Sequence, residues 1–193
     1  MWHNPDMRIR YAWILIPALL LGLGGVTADA TVLRGLDLTQ LTDASPTILR
    51  GRVVTTRGEW KGGRIYTAVT VEVESPLSGT QRTGDRVTFW RLGGVVGNIA
   101  QRVLGSPRFR TGERVIVFLH ARRGHLFVTG MVQGKVRVLP ATASSPTRVA
   151  PAHHRLALRG ARRVLQRAEP LTAFETRVRQ LVRTRAARKG RRP

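Results

Sequence analysis

His120 and His125 are the residues of this sequence that come nearest to a chemical site. They flank the short basic segment Ala121–Gly124, so they would face each other if this stretch folds as a β-hairpin. Two facing imidazoles can begin a zinc site, but zinc needs three or four ligands. No further ligand lies nearby, and Arg122 and Arg123 would repel a cation. We therefore predict no metal site, and we interpret these residues as an exposed basic hairpin tip.

The sequence carries no complete catalytic motif. It contains no HExxH, no GxSxG, no P-loop and no GxGxxG pattern. Gly93–Gly97 is a glycine-rich fragment without a surrounding βαβ pattern, so we expect it to provide backbone freedom in a loop. Glu72 and Glu74 share one strand face, where exposed glutamates are more common than a glycosidase pair. We predict no catalytic or cofactor-binding residue and no enzyme activity, with an unrecognised hydrolase as the less favoured alternative.

Two tryptophans lie close in sequence to basic residues. Trp60 and Trp90, with Arg64 and Arg91, could form a surface that stacks on bases or sugars. The alternative is that Trp90 packs against the core or a docked helix, and we favour that structural interpretation. The four residues are kept as a candidate aromatic and basic surface.

The charge of the chain is strongly positive. Its 33 basic residues outnumber its 11 acidic residues, for a formal net charge of +22. Such an excess indicates an anionic partner, although codon bias could explain why arginine replaces lysine. The densest group of arginines follows the helical pattern near the C-terminus. The candidate polyanion-binding residues are Arg177, Arg179, Arg183, Arg185 and Arg188.

The first 30 residues resemble an export signal. Arg8 and Arg10 precede an apolar run over Tyr11–Val26, and Ala28-Asp29-Ala30 matches a signal-peptidase site. We predict cleavage after Ala30 and a periplasmic or extracellular protein. The alternative is an uncleaved anchor, but the run is short of the roughly 20 residues that span a bilayer. Met7 is an alternative start. The chain has no cysteine, which excludes disulfides, thiolate metal sites and a lipid-modified N-terminal cysteine.

The middle of the chain has the pattern of a small β protein. The apolar run Val115–Leu119 predicts a strand covered on both faces, and Val69, Val71 and Val73 alternate with polar residues. Gly51 indicates a bulge or bend. We predict a mainly β fold: a small closed barrel of five or six strands, of the OB-like type, with a compact sandwich as the alternative. The expected strands are 47–56, 64–74, 85–91, 115–119, 125–131 and 135–138, with a polar turn at 57–63.

Helical and linker segments are expected on both sides of the barrel. Residues 31–44 predict a short N-terminal helix with Thr39 as its cap, and 31–139 form the barrel domain. The composition of 140–152 is typical of a linker. Residues 153–187 predict two basic helices, of which the second (171–187) would dock on the barrel through Phe174 and Val178. Residues 188–193 are predicted to be a disordered tail.

Several phrases resemble secreted, poorly characterised bacterial proteins with an OB-like barrel, and the strand pattern is similar to the netrin-like module of tissue inhibitors of metalloproteinases. The phrases are Ser45–Val54, Gly63–Val73, Gly93–Ile99, Pro107–Leu119 and Gly130–Val138. Some proteins of this kind occur beside secreted matrixin-type peptidases. The inhibitors use an N-terminal cysteine on the protease metal, which this chain lacks, so their inhibitory residues cannot be transferred.

These observations leave two main hypotheses for function. The first is an exported, non-enzymatic binding module, a partner or inhibitor-like protein of a secreted peptidase, as the resemblance implies. The second is a polyanion-binding protein that acts on lipopolysaccharide, anionic lipid or extracellular nucleic acid through its C-terminal arginines. Because the chain is predicted to be exported, nucleic acid is not expected as its physiological ligand. No cofactor is expected, and the sequence leaves the oligomeric state open.

Overall fold

The computed structural model describes residues 33–152, 158–159, 165 and 167–190. The signal-peptide prediction therefore lies outside the described residues, as do most of the predicted helix before Glu169 and the last three residues. Within the described part the protein is mainly β, as predicted. None of the helices in this part is long and apolar enough to cross a membrane.

The described elements comprise a series of strands, two α-helices and one 3₁₀ turn (Met131–Gly134). In chain order they are β1 Leu33–Arg34, α1 Leu38–Asp43, β2 Thr47–Lys61, β3 Arg64–Ser78, β4 Arg86–Leu92, β5 Gly94–Val96, β6 Ile99–Gln101, β7 Arg114–Arg122, β8 His125–Val128, β9 Lys135–Leu139, β10 Arg148–Pro151, β11 Leu158–Arg159, β12 Glu169–Pro170 and α2 Leu171–Gly190.

Five of the strands form a ring. β2 pairs with β3, β3 with β4, and β7 with both β2 and β8, all antiparallel. The ring is completed by a parallel contact between β4 and β8, where Trp90 is opposite Phe127. The sheet continues from β7 through β9 and β10 to β12.

The run Val115–Leu119 in β7 is buried on both faces, as its sequence predicts. Val115, Val117 and Leu119 belong to a core that also contains Phe89, on the inner face of the ring. Ile116 and Phe118 alternate with them and belong to a second core on the outer face. Because successive side chains of a strand point to opposite faces, one strand serves both cores.

A change of register marks Gly51 in β2, which confirms the predicted irregularity. The pairing of β2 with β3 shifts between Arg50 and Gly51. A Cβ atom at Gly51 would collide with the carbonyl group of Glu72, so the strands can approach here only because the residue is glycine. Such shifts let a strand bend, as closure of a ring requires.

The second core is covered by α2. Phe174 and Val178 are fully buried at this contact, and Leu171 is buried beside them. The short helix α1 packs against the same core through Leu41. α1 begins with a capping box, in which Asp37 accepts from the Gln40 amide and the Gln40 side chain accepts from the Asp37 amide. The N-cap is therefore Asp37. The sequence prediction of Thr39 as the cap is wrong, because Thr39 lies inside the helix.

Several boundaries differ from the sequence prediction. β2 and β3 continue through the expected polar turn, so that only Gly62 and Gly63 separate them. The expected linker contains β10, which pairs with β9 because Val149 and Ala150 bury apolar surface there. The described part of the first predicted C-terminal helix includes the strand β11 instead. α2 extends to Gly190, into the predicted disordered tail.

Replacing Phe174 by alanine tests whether α2 is part of the folded unit. Because this ring is fully buried between α2 and the sheet, Phe174→Ala should lower the free energy of unfolding by about 3–5 kcal/mol, through lost burial and the cavity it leaves. Urea denaturation of the protein lacking residues 1–30 measures this change. Thr172→Ala, at an exposed position of the same helix, is the control. Equal stability of the two variants would show that α2 is not docked in solution.

Candidate functional site

One wall of a surface cleft is the turn between β2 and β3. Gly62 and Gly63 both have positive φ, at 54° and 72°. Two-residue hairpin turns of type I′ require this conformation, which glycine adopts without strain. The turn places Lys61 directly opposite Arg64. Lys61 Nζ lies 3.6 Å from the ring centroid of Trp90, a cation–π contact.

The opposite wall is the turn between β7 and β8. It is again a two-residue turn with positive φ, at 50° for Arg123 and 75° for Gly124, and it pairs Arg122 with His125. Positive φ is uncommon for residues other than glycine and asparagine. An arginine therefore occupies a position where glycine would fit with less strain. This tip therefore carries a charge at some cost in backbone energy.

The cleft between these turns has a volume of about 720 Å³. This is within the range of about 300–1,000 Å³ that is common for small-ligand sites. Its lining residues are Lys61, Gly62, Arg64, Tyr66, Trp90, Arg91, Leu92, Ser106, Pro107, His120, Arg122, Arg123, His125, Phe127, Val128 and Met131.

The rings in the cleft contact one another in two groups. Tyr66 packs edge-on against Phe127 with centroids 6.3 Å apart, and Phe127 lies 6.1 Å from the His120 ring. Trp90 packs edge-on against His125 at 6.0 Å. The two groups adjoin where Trp90 pairs with Phe127 across strands β4 and β8. Alternation along the strands places these rings outside, opposite the inner core.

The cleft is lined by positively charged side chains that no acidic residue of the lining neutralises. Its permanently charged residues are Lys61, Arg64, Arg91, Arg122 and Arg123, and the described lining includes no acidic residue. None of these five forms an ion pair within the described chain. Lys135, buried elsewhere, is instead paired with Glu113 at 2.8 Å. The cleft is thus a region where like charges repel and an anion would be stabilised.

Arg91 is the cleft cation with the least solvent around it. Its Nη1 donates to the Leu92 carbonyl oxygen at 3.3 Å, while its Nε is buried without a hydrogen-bond partner. Burial, with a smaller contribution from Arg108, lowers the pKa of Arg91 below its usual value. The guanidinium remains charged at neutral pH because an arginine pKa is ordinarily far above that range. A half-buried charge of this kind is costly unless a counter-ion is present.

His120 is held in the cleft by one hydrogen bond. Its Nδ1 lies 3.2 Å from the Thr129 hydroxyl oxygen. Burial, and to a smaller extent the charge of Arg122, lowers the pKa of His120. His120 and His125 share the cleft, but no group of three possible metal ligands occurs in the part of the chain that the structure describes. The cleft therefore offers mainly donors and rings.

The structure brings together three of the four residues proposed as an aromatic and basic surface. Trp90, Arg64 and Arg91 all line the cleft, whereas Trp60 is 51% exposed and lies outside its lining. Trp90 is half-buried and belongs to neither apolar core. Sequence reasoning missed Tyr66 and Phe127. The sequence does contain a pattern that indicates Tyr66. Val69 and Val71 face inward along β3, so alternation places Tyr66 on the outer face.

Two arginines of the predicted polyanion-binding group connect α2 to the ends of neighbouring elements. Arg179 donates to the Pro76 carbonyl at 3.1 Å and to the Ser75 hydroxyl at 3.0 Å. Arg185 donates to the carbonyl groups of Thr42 and Ser45 and to the Ser78 hydroxyl, all within 3.0 Å.

The other three arginines of this group have different surroundings. Arg177 donates to the Glu169 carboxylate through both Nη1 and Nη2. Arg188 donates through Nη2 to both carboxylate oxygens of Asp43. Arg183 is exposed and has no ion pair among the residues described. Four of the five predicted ligand-binding arginines therefore already have intramolecular partners.

Arg185→Gln tests the structural role of this arginine. The change removes a charged donor from two backbone carbonyls and a hydroxyl, so we expect the free energy of unfolding to fall by about 1–3 kcal/mol. Arg183→Gln removes the same charge from an exposed position of the same helix and should have little effect. Chemical denaturation compares the two variants, and equal stability would contradict a docking role for Arg185.

The lowered pKa of His120 predicts a pH dependence of stability. Below about pH 6.5 the unfolded chain takes up a proton at this residue that the folded protein resists. Stability should therefore fall as the pH drops through this value, and it should fall less steeply in His120→Gln. Denaturation curves between about pH 5 and pH 8 measure the difference. Parallel curves for the two proteins would contradict the assignment.

A scan against models of known protein families finds no match for this chain, and a search of curated proteins finds no similar sequence.

Proposed function

We propose that this protein is an exported, non-enzymatic binding module that takes an anionic ligand in the cleft between the β2–β3 and β7–β8 turns. The observation that carries the proposal is the positive charge of the cleft, which no acidic residue of the described chain neutralises, beside the rings of Tyr66, Trp90 and Phe127. An anion entering this space would relieve repulsion among five cations and gain charge-assisted hydrogen bonds. The rings would contribute contact area for a flat or cyclic part of the ligand.

The order of strands supports an OB-like barrel as the finer description of the fold. The ring runs β2, β3, β4, β8, β7 and back to β2. In OB-type barrels, the face of the second and third strands and the adjoining hairpin loops bind oligonucleotides and oligosaccharides. The cleft occupies the corresponding place here, on β3, β4 and the two turns. This correspondence favours the cleft over α2 as the ligand-binding surface.

We therefore propose the cleft, and not the C-terminal helix α2, as the surface that binds a polyanion. The arginines of α2 mostly serve the contact between helix and sheet. Deletion of the C-terminal segment would uncover a hydrophobic core and would not be a clean test of binding. Point substitutions in the cleft are the appropriate experiment.

A peptidase partner is a second proposal, which rests on the sequence resemblance. The β5–β6 hairpin is the surface we would associate with it, because Val95 and Ile99 are each more than half exposed. Leu104, also more than half exposed, follows this hairpin in the chain. Export of the protein is likewise proposed from the sequence of residues 1–30.

Substitution of the two tip arginines tests the proposed function. We expect Arg122→Gln with Arg123→Asn to weaken binding of small polyanions at least about tenfold, because each charged hydrogen bond contributes about 1.5–3 kcal/mol. Asparagine suits the positive φ of position 123, so the variant should remain folded. Isothermal titration calorimetry with tripolyphosphate, a heparin-type hexasaccharide and an oligogalacturonate measures binding, which should weaken as salt increases.

The matched control is Arg52→Gln with Arg183→Gln. These arginines are exposed, lie outside the cleft and have no ion pair within the described chain, so the same net charge is removed. The control should bind like the unmodified protein. Failure of all three polyanions to bind, or equal loss of binding in both double variants, would overturn the proposal.

A further inference from the structure

We propose that the cleft selects phosphate or sulfate ester groups over carboxylates and sugar hydroxyls, with Arg91 as the residue that anchors the oxyanion. This inference rests on the proposed function and names the chemical class of its ligand. It uses the types of donor in the cleft and the partners of Arg91.

The polar side chains of the cleft are mostly donors. Lysine, arginine and tryptophan donate hydrogen bonds and cannot accept them. The described lining includes no aspartate, glutamate, asparagine or glutamine. Ser106, one of the few hydroxyl groups, already donates to the Leu92 carbonyl oxygen at 2.5 Å. A ligand group that only accepts hydrogen bonds is therefore matched, whereas sugar hydroxyls would find few side-chain acceptors, namely the hydroxyls and imidazoles of the lining.

The placement of the cations favours a group with three free oxygens. Donors reach the cleft from three separate elements: the β2–β3 turn, the end of β4 and the β7–β8 turn. A phosphate ester offers three acceptor oxygens and a charge of about −1.5 to −2, and can be approached from several sides. A carboxylate offers two oxygens in one plane and a single charge. Converging donors thus match the tetrahedral group better.

Arg91 is the best placed of these donors to act as an anchor. Its Nη1 donates to the Leu92 carbonyl oxygen, and its other guanidinium N–H groups have no acceptor among the described residues. No carboxylate balances its charge in the described chain, and Arg108 adds repulsion. The cations of the two turns are exposed to solvent, whereas Arg91 is partly buried. A bound oxyanion would therefore compensate Arg91 more than any other residue of the cleft.

Calorimetric titration of three ligands tests the selectivity. We expect tripolyphosphate or the heparin-type hexasaccharide to bind at least about tenfold more tightly than an oligogalacturonate of matched charge. Neutral maltohexaose should not bind. Tighter binding of tripolyphosphate would assign a soluble phosphate ligand, and tighter binding of the hexasaccharide would assign a sulfated polysaccharide. Equal affinity for the oligogalacturonate would overturn the inference while leaving an anion-binding cleft in place.

Substitutions at Arg91 test the anchor. Arg91→Gln should weaken binding of the preferred oxyanion about tenfold or more, and Arg91→Lys should recover part of this loss because it restores charge without the planar fork. Arg183→Gln is the control for net charge. The thermal unfolding temperature of unliganded Arg91→Gln should equal or exceed that of the unmodified protein, since a poorly compensated cation is removed. If Arg91→Gln binds the oxyanion with unchanged affinity while the Arg122→Gln, Arg123→Asn variant loses binding, Arg91 is not the anchor. The cleft would then still be the binding site.

Discussion

The central constraint on this structure is that the unbroken apolar run of β7, Val115–Leu119, is shared between the two hydrophobic cores. Val117 and Phe118 are neighbours in sequence and fully buried, yet they pack on opposite faces of the sheet. β7 is also hydrogen-bonded on both edges, to β2 on one side and to β8 and β9 on the other. Burial of each such side chain contributes about 1.5–3 kcal/mol. Alternate residues of this run therefore support the core inside the ring and the core under the docked helix α2.

The cations of this protein have two kinds of surroundings. On the outer core, arginines of α2 donate to carbonyl groups and carboxylates, and they hold the helix against the ends of β2 and β3. At the turns that flank the cleft, the cations have no acidic partner in the described chain. Acidic residues are scarce in this chain, and two of those in the sheet region are paired with other cations, Glu74 with Arg114 and Glu113 with Lys135. The cations that line the cleft are left without an acidic partner in the described chain.

Much of the architecture was predictable from the sequence, because local patterns specify it. The unbroken run Val115–Leu119 predicted a strand covered on both faces, and the helical spacing of Phe174 and Val178 predicted docking of α2. The pairing of β10 with β9 was not predictable, because Pro- and Ser-rich segments look like linkers until a neighbouring strand edge is known.

The candidate site was predictable only in part. Trp90, Arg64 and Arg91 line the same cleft, since alternation and hairpin pairing bring them together. Arg185 and Arg179 were not separable from solvated arginines, because their partners are backbone carbonyls more than 100 positions away in the chain. Charge density in the sequence indicates an excess of cations. It does not indicate which of them are already neutralised by the fold.

The most direct test of this account is an NMR titration of the protein lacking residues 1–30. This protein contains two tryptophans, Trp60 and Trp90, and thus gives two indole N–H signals. Addition of tripolyphosphate should shift the Trp90 signal, which reports on the cleft, and leave the Trp60 signal nearly unchanged. Shifts confined to backbone amides of α2, with both indole signals unmoved, would contradict the claim that the cleft is the site of anion binding.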